Sequence, residues 1–512
     1  MKLKSTLTLL SIAIALSTST AWAQVNPESF GLYNEALTFS QTQFNGSARI
    51  QGIGGAQVAL GGDISSALSN PAGLGFYNRS EFSLTPSLNF FRSDAKYDGD
   101  NNTSILSESE NFNFNQLGVV INRTREESED GFRGGSFAIT LSRTNSFKNE
   151  FTYDGFSKGS SIVDFFLEQA DGVQVNLLEN DGAIFDSGTE LLSLAYNSFL
   201  INPIDGTNDQ YETFVGVEPR QRETVKVSGA QYQWNISGGA NYKDQLYFGG
   251  GLGIATLNYK MRTIYNETEF IFDGQPDDFI NGITLEEETD IDGIGVNATF
   301  GLIFRPVDVI SLGLSYVTPT WYEINDDTFS DLSVSYNNVD FNGEILNDFN
   351  LNGRLFASNY SLRTPSKLNF GVAYFFGKNG FLTGDIEMVD YSGANLGSDD
   401  FSPTADNQTI RGLYRRAVNF RVGSEYRIDN FRLRAGYAYW SDPIENSTVD
   451  GTKQNINVGF GYRNKKFFAD VAVINAFGDQ SYSPYFLGDG SEPEIALDNK
   501  STNVAVTVGF NF

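Results

Sequence analysis

Seven charged residues with strand-like spacing are the groups in this chain best placed to do chemistry. Asp385 and Glu387 stand two apart, Arg421, Glu425 and Arg427 fall at even steps, and Arg432 and Arg434 stand two apart. A period of two puts each set on one face of an extended strand. Opposite charges on neighbouring strands form ion pairs, and a guanidinium is equally the natural partner of a ligand carboxylate. Two readings stay open: a ladder of ion pairs that locks structure together, or an arginine among Arg421, Arg427, Arg432 and Arg434 that receives an acidic ligand. Phe375 and Phe468 occupy strand positions that can face the same interior and line an apolar pocket.

The absences narrow the chemistry further. The chain has no histidine and no cysteine. A Ser-His-Asp triad, histidine-ligated zinc, histidine-ligated haem and any disulfide are therefore excluded. The run from Gly52 to Gln57 lacks the last glycine of a dinucleotide fingerprint, and Asp94, Asp98 and Asp100 do not fit a calcium loop. No nucleophile–base pair stands out. The chain reads as a non-enzyme without catalytic residues, metal site or cofactor.

The elements that must position these residues are strands. Fourteen alternating segments span 81–92, 112–123, 133–148, 228–243, 245–263, 289–305, 307–323, 360–377, 380–391, 413–428, 430–441, 452–464, 465–477 and 500–512. The last is the clearest: Val504, Val506, Val508, Phe510 and Phe512 share one face, and Ala505, Thr507 and Gly509 the other. An apolar face opposite a small or polar face, closing on an aromatic residue, looks like the final strand of an outer-membrane β-barrel. Mean hydropathy is only −0.27 because alternation averages out. Aromatics at 14% and 52 glycines suit aromatic girdles and bent strands.

The remaining sequence agrees. Lys2 and Lys4 before an apolar run from Leu7 to Leu16, then Ala21, Trp22 and Ala23, read as a signal peptide over 1–23. No later segment has the roughly 18 consecutive apolar residues of a membrane helix. An exported chain that enters lipid must then close into a barrel, so that no backbone group is left open. Short turns at 243–245, 305–307, 377–380, 429–430 and 464–465 alternate with long loops at 149–227, 264–288, 324–359, 392–412, 442–451 and 478–499. Such sorting is a barrel habit. The acidic link 124–132 is the exception. In the 149–227 loop, Ser161 with Asp164 and Ser187 with Glu190 resemble capping boxes before apolar runs, so this loop is expected to be partly helical, either packed over the mouth or forming an apolar landing groove.

A fourteen-stranded lumen is too wide for wall side chains to fill. Residues 24–80 precede the first strand, lack alternation and are rich in glycine, which suits a hatch folded inside the barrel formed by 81–512. The formal charge of −28 argues against nucleic acid as a partner. Solvated acidic loops account for it, or loop carboxylates bridged to lipopolysaccharide by divalent cations.

The hatch contains Gly61, Gly62, Asp63 and, a few residues on, Asn70, Pro71, Ala72 and Gly73. This stretch resembles the Asn-Pro-Ala hatch motif of the FadL/TodX/OmpP1 family of outer-membrane channels for long-chain fatty acids and other hydrophobic compounds. The segments 364–374, 385–392, 419–427 and 433–439 are similar to that family's later strands. The resemblance implies a fourteen-stranded antiparallel transmembrane barrel, a monomer in the outer membrane, whose ligand lands among outer loops and leaves sideways through the wall near a kinked third strand. It places Asn70, Pro71 and Ala72 beside that opening, with Gly134 and Gly135 as the candidate kink. Ligands would be long-chain fatty acids or aromatic hydrocarbons. The longest loop here follows the third strand, whereas the prominent loops of fatty-acid members follow the fifth and seventh. Alternatives are a structural barrel of a secretion complex, a hydrophilic porin, or a receptor for haemin, which without histidine only Tyr, Met or apolar contacts could hold.

Overall fold

The computed structural model describes residues 29–43, 45–98, 102–124, 131–179, 190–353, 355–445 and 449–512. The expected signal peptide, most of the acidic link and Ser187 lie outside the described residues. Fourteen strands form the wall: β1 (Glu81–Tyr97), β2 (Ile105–Thr124), β3 (Phe132–Ser146, resumed at Asn149–Phe156), β4 (Arg220–Tyr242), β5 (Leu246–Thr268), β6 (Ile280–Val307), β7 (Ile310–Val317, resumed at Trp321–Phe341), β8 (Glu344–Asn352, Phe356–Arg363 and Lys367–Phe375), β9 (Gly380–Asp390), β10 (Arg416–Ile428), β11 (Phe431–Trp440), β12 (Lys453–Arg463), β13 (Phe467–Tyr482) and β14 (Ile495–Asn511). Each pairs antiparallel with the next, and β14 returns to β1 from Glu81↔Asn511 to Tyr97↔Ile495. All fourteen expected strands are present, and the sheet closes.

Alternation explains why these residues form a wall. On β14, Ala505 and Thr507 are fully buried toward the lumen while Phe510 faces out. On β6 the outward residues Ile294, Val296, Phe300, Leu302 and Phe304 are all exposed. Leaving a large apolar side chain in water forgoes about 1.5–3 kcal/mol each, so this belt is built for hydrocarbon. No helix of the described residues is long and apolar enough to cross a membrane. Where the apolar belt ends, the outward face turns ionic: Lys260 pairs with Asp290, and Arg262 with Glu286 at 3.1 Å.

Two expected loops are strand instead. Much of 264–288 belongs to β5 and β6, paired up to Thr268↔Gly282, and 324–359 is a hairpin of β7 on β8. These extensions stand beyond the apolar belt. Their outer faces are charged, so they lack the apolar-out signature, yet Ile283, Leu285, Leu332 and Val334 are buried on the inside. That interior is filled by residues 149–179 and 190–227, with Phe166, Leu178 and Leu200 in the shared core. Its helices are Ile162–Ala170, Val175–Glu179 and Glu190–Asn197. The Ser161–Asp164 capping box is made reciprocally. Glu267 of β5 then seats the first of these helices, accepting from Ser161 Oγ, Ile162 N, Gln221 Nε2 and Tyr265 OH. These helices are packed over the mouth, with Phe166, Leu178 and Leu200 fully buried.

Residues 29–43 and 45–80 pack against the inner face of the wall. The helix Leu32–Ser40 has no side-chain cap of its own. Asp406, on the helix Thr404–Leu413 between β9 and β10, supplies the anion at its N-terminus, accepting from Ser29 Oγ, Phe30 N and Tyr33 N. The helix Ala48–Gly52 packs on β12, β13 and β14, where Ala48 N donates to Thr507 Oγ1 at 2.7 Å and Asn457 Nδ2 donates to Gln51 O at 2.6 Å. The helix Ser66–Ser69 leads into a 3₁₀ turn, Pro71–Phe76.

Candidate functional site

The Asn-Pro-Ala segment is held by the wall rather than merely near it. Asn70 Oδ1 accepts from Ala72 N and caps the 3₁₀ turn, while its Nδ2 donates to Val58 O at 2.7 Å. The same amide lies 3.5 Å from Leu302 O and 3.4 Å from Leu314 O, on β6 and β7. Two glycines make this approach possible. A Cβ at Gly301 would stand 1.9 Å from Asn70 Oδ1, and one at Gly249 would stand 2.4 Å from the Pro71 carbonyl carbon. Wall hydroxyls finish the seat: Ser237 Oγ donates to Ala67 O, Ser311 Oγ to Ala59 O and Ser315 Oγ to Ser69 O.

The charged constellation also meets the hatch. Asp385 of β9 pairs across the ladder with Arg421 of β10, and Glu425 of β10 with Arg434 of β11. Arg421 Nη2 is 3.0 Å from Glu387 Oε2. Arg434 is bracketed by Glu425 at 2.8 Å and Asp470 at 2.7 Å. The hatch joins in: Arg49 Nε is 3.6 Å from Glu425 Oε2, and Asp385 Oδ2 accepts from Gln57 N at 2.7 Å and Val58 N at 2.9 Å. Of the two readings, the geometry is that of a lock. A buried ion pair of this kind stabilises little in net terms, but removing one partner costs about 3–5 kcal/mol, so it fixes one arrangement of hatch and wall.

The outlying sequence candidates fall elsewhere. Arg427 bonds Glu425 and lies over the Phe381 ring. Arg432 donates to the carbonyls of Asp429 and Phe431, at the short-turn rim. Phe468 is buried against Gly509 with Arg463 4.3 Å from its ring centroid. Phe375 packs with Phe381 and the hatch residues Ile50 and Ile53. Both rings therefore face inward at the short-turn end, Phe375 against the hatch and Phe468 against Gly509 of the wall.

Beside the third strand, where the resemblance implied an opening, the ladder is incomplete. β2 and β3 are paired from Thr124↔Gly134 to Gln116↔Ser142 and no further. Beyond that rung β2 runs on to Ile105 against β1 alone, and β3 runs on to Phe156 against β4 alone. β3 shifts register between Arg143 and Asn145, and at the same level β1 shifts between Thr85 and Pro86, a residue without an N–H. Gly134 and Gly135 do border a bulge, but the ladder to β2 is intact beside them; the seam opens at the other end of the pairing. The hatch backs this seam with other residues than expected. Gln43 N donates to Thr144 O, Asn145 Nδ2 to Gln41 O, and Ser65 Oγ to Gln116 Oε1. Asn70, Pro71 and Ala72 instead sit against β4, β5 and β6, where the glycines admit them.

Outside the wall, beside the seam, lies an open cleft of about 870 Å³ bordered by Glu110 and Asn113 of β2, Lys148 of the β3 break, Tyr232 of β4, Thr256 of β5 and Ile294 of β6. It straddles the level at which the apolar belt gives way to polar strand. The sequence signal was present in β3: Phe137, Ile139 and Leu141 face out, and then Arg143 interrupts the apolar face.

No model of a known protein family matches the chain. No curated protein matches it either. Solved structures do match. A FadL homologue of Pseudomonas aeruginosa is similar over 92% of this chain and 99% of its own, with 14% identity and a TM-score of 0.54. The toluene transporter TodX of Pseudomonas putida is similar over 92% and 99%, with 14% identity and a TM-score of 0.50. The class is thus a closed fourteen-stranded antiparallel β-barrel. Within it, the chain has the fold of the FadL and TodX barrels, as the Asn-Pro-Ala resemblance implied.

Proposed function

We propose that this protein is an outer-membrane channel for hydrophobic small molecules, which pass between the lumen and the bilayer through the β2–β3 seam. The observation that carries the reading is the seam itself. Where the β2–β3 ladder stops, lipid cannot supply the missing backbone partners, so an interrupted ladder there carries a cost that passage of ligand would justify. An apolar molecule gains about 0.8 kcal/mol per CH₂ on reaching hydrocarbon, and nothing on entering the aqueous space below. The packing of residues 29–43 and 45–80 against the inner face of the wall argues against a hydrophilic porin. The names of the similar structures, a FadL homologue and a toluene transporter, support a non-enzymatic role in uptake.

The test exploits the absence of native cysteine. Cysteine pairs are placed across the seam, one in 112–115 and one in 143–146. Oxidation is expected to stop uptake of labelled toluene or oleate in cells, and reduction to restore it. Uptake that continues through an oxidised, verified cross-link refutes lateral passage.

A further inference from the structure

The chain carries a formal charge of −28, yet the short-turn end of the barrel has cations to spare. Lys243 of the β4–β5 turn, Lys378 of the β8–β9 turn, and Lys465 and Lys466 of the β12–β13 turn are exposed, as is Arg79 just before β1. No carboxylate among the described residues stands within 4 Å of any of them; the two arginines of this end that form ion pairs, Arg133 and Arg427, use Asp244 and Glu425. The exposed turn carboxylates each keep an arginine beside them. Asp244 has Arg133 at 3.8 Å, and Arg305 and Arg432 donate to the carbonyls of Asp308 and Asp429. The acidic link 124–132 belongs to a different connection, β2 to β3. At the long-loop end the outward cations are matched: Lys226 has Glu150 at 3.2 Å, Lys260 has Asp290, and Arg262 has Glu286 at 3.1 Å.

Three of these cations are drawn together where the sheet closes. Arg79 Nη1 donates to Lys465 O at 2.8 Å, and Asn511 N of β14 donates to Lys466 O at 2.9 Å. Like charges gathered by backbone bonds repel until an anion joins them. The wall beside the cluster is aromatic and faces out: Phe510 is 51% exposed and Phe512 72%, and the Phe467 ring lies 5.7 Å from that of Phe510. Lys243 repeats the arrangement, with its ammonium 5.1 Å from the centre of the Tyr242 ring. An outward aromatic collar edged by cations marks the level at which a bilayer turns from hydrocarbon to headgroup. One kind of molecule fits both parts, acyl chains ending in a phosphate.

We propose that Arg79, Lys465 and Lys466 form a docking site for an anionic phospholipid of the leaflet at the short-turn end, with Lys243 and Lys378 holding further headgroups around the rim. The phosphate oxygens accept from the guanidinium and the two ammonium groups, and the acyl chains lie along Phe467 and Phe510. A soluble acidic partner would have no use for the aromatic collar, so the lipid is the occupant that uses both. This site lies at the β13–β14–β1 junction, away from the β2–β3 seam, and does not depend on what the channel carries.

The experiment titrates the purified full-length barrel in non-ionic detergent with dioleoyl phosphatidylglycerol or dioleoyl phosphatidylcholine and counts bound lipid by native mass spectrometry. Each cation at a lipid surface is worth about fivefold in association, so wild type is expected to bind phosphatidylglycerol about 10-fold or more tightly than phosphatidylcholine at low salt. Added salt should shrink that ratio by screening. The double variant Lys465→Gln with Lys466→Gln should lower the ratio by about fivefold or more. Neither ammonium carries a hydrogen bond among the described residues, and Lys465→Gln alone stands as the test if the double variant does not fold. Lys226→Gln with Lys260→Gln, at the long-loop end, should leave the ratio unchanged. A wild type that does not distinguish the two lipids overturns the proposal, as does a ratio that survives the rim substitutions or falls equally with the long-loop pair. Inorganic phosphate that displaces the lipid at equal concentration also overturns it, because the site would then hold a free anion.

Discussion

Removing the Asp385 carboxylate should free the hatch without unfolding the barrel. One oxygen, Asp385 Oδ2, accepts from two consecutive hatch amides, Gln57 N at 2.7 Å and Val58 N at 2.9 Å. Hydrogen bonds to a charged group are worth about 1.5–3 kcal/mol each, so Asp385→Ala removes about 3–6 kcal/mol from this attachment and leaves two buried N–H groups unpaired. Local opening of residues 57–59 should then become about 10²- to 10⁴-fold more frequent. The β9–β10 backbone ladder from Gly380↔Tyr426 to Asp390↔Arg416 involves no Asp385 side chain, so the wall should hold. Hydrogen exchange read by mass spectrometry separates the two, comparing a peptide over residues 55–61 with one from β13. Faster exchange confined to the hatch is the expected result, with a raised single-channel conductance. Hatch exchange within threefold of wild type, or equal acceleration in hatch and β13, would refute the idea that Asp385 is a bolt between them.

Other consequences follow from the same geometry. Arg434→Met strands Asp470, takes one of three guanidinium partners from Glu425, and should destabilise the barrel by about 3–5 kcal/mol in urea unfolding, whereas Arg432→Met, which loses only two bonds to turn carbonyls, should change it by about 0.5 kcal/mol or less. Gly301→Ala drives a methyl group into Asn70 Oδ1 and should cost about 1–3 kcal/mol, detected as a lower melting temperature, while Ala298→Gly, three residues along the same strand, should not raise hatch exchange. On the lumenal helix Leu32–Ser40, burial, then the Asp326 charge, push the Glu35 carboxyl up to about 8 from an ordinary 4.5, partly offset by the hydrogen bond from Tyr360 OH. The folded state therefore holds a proton that the unfolded chain has lost between these values, so the stability contributed by this site is complete below about pH 4.5 and falls as pH rises to about 8. Glu35→Gln should flatten that slope, seen in the pH dependence of exchange in this helix; an unchanged slope would rule Glu35 out as its source.

How much was legible follows the length scale of each signal. Strand periodicity is local, so β10, β11 and β14 could be read residue by residue, and loop sorting gave the barrel its two ends. The ion pairs were half-readable: Asp385, Glu387, Arg421, Glu425 and Arg434 share lumenal faces by parity alone, but their bonds to Arg49, Gln57 and Val58 join residues hundreds of positions apart. The polar strand extensions of β5, β6 and β7 were hidden because, above the lipid, an outward face no longer has to be apolar. The rung at which the β2–β3 ladder stops was hidden for a different reason. Arg143 looks like an ordinary charged residue until the ladder beside it is seen to stop.

The sequence by itself determined that this chain forms alternating strands with lumenal charges, a glycine-rich segment ahead of them, and no histidine or cysteine chemistry. Those properties depend on residue type and on a spacing of two, which the backbone enforces wherever a strand forms. The tertiary structure alone decided which wall glycines receive Asn70 and Pro71, which carboxylate holds the hatch, and where the β2–β3 ladder ends. Each of these depends on register between distant strands, and register is set by the closure of the whole sheet, not by any one of its segments.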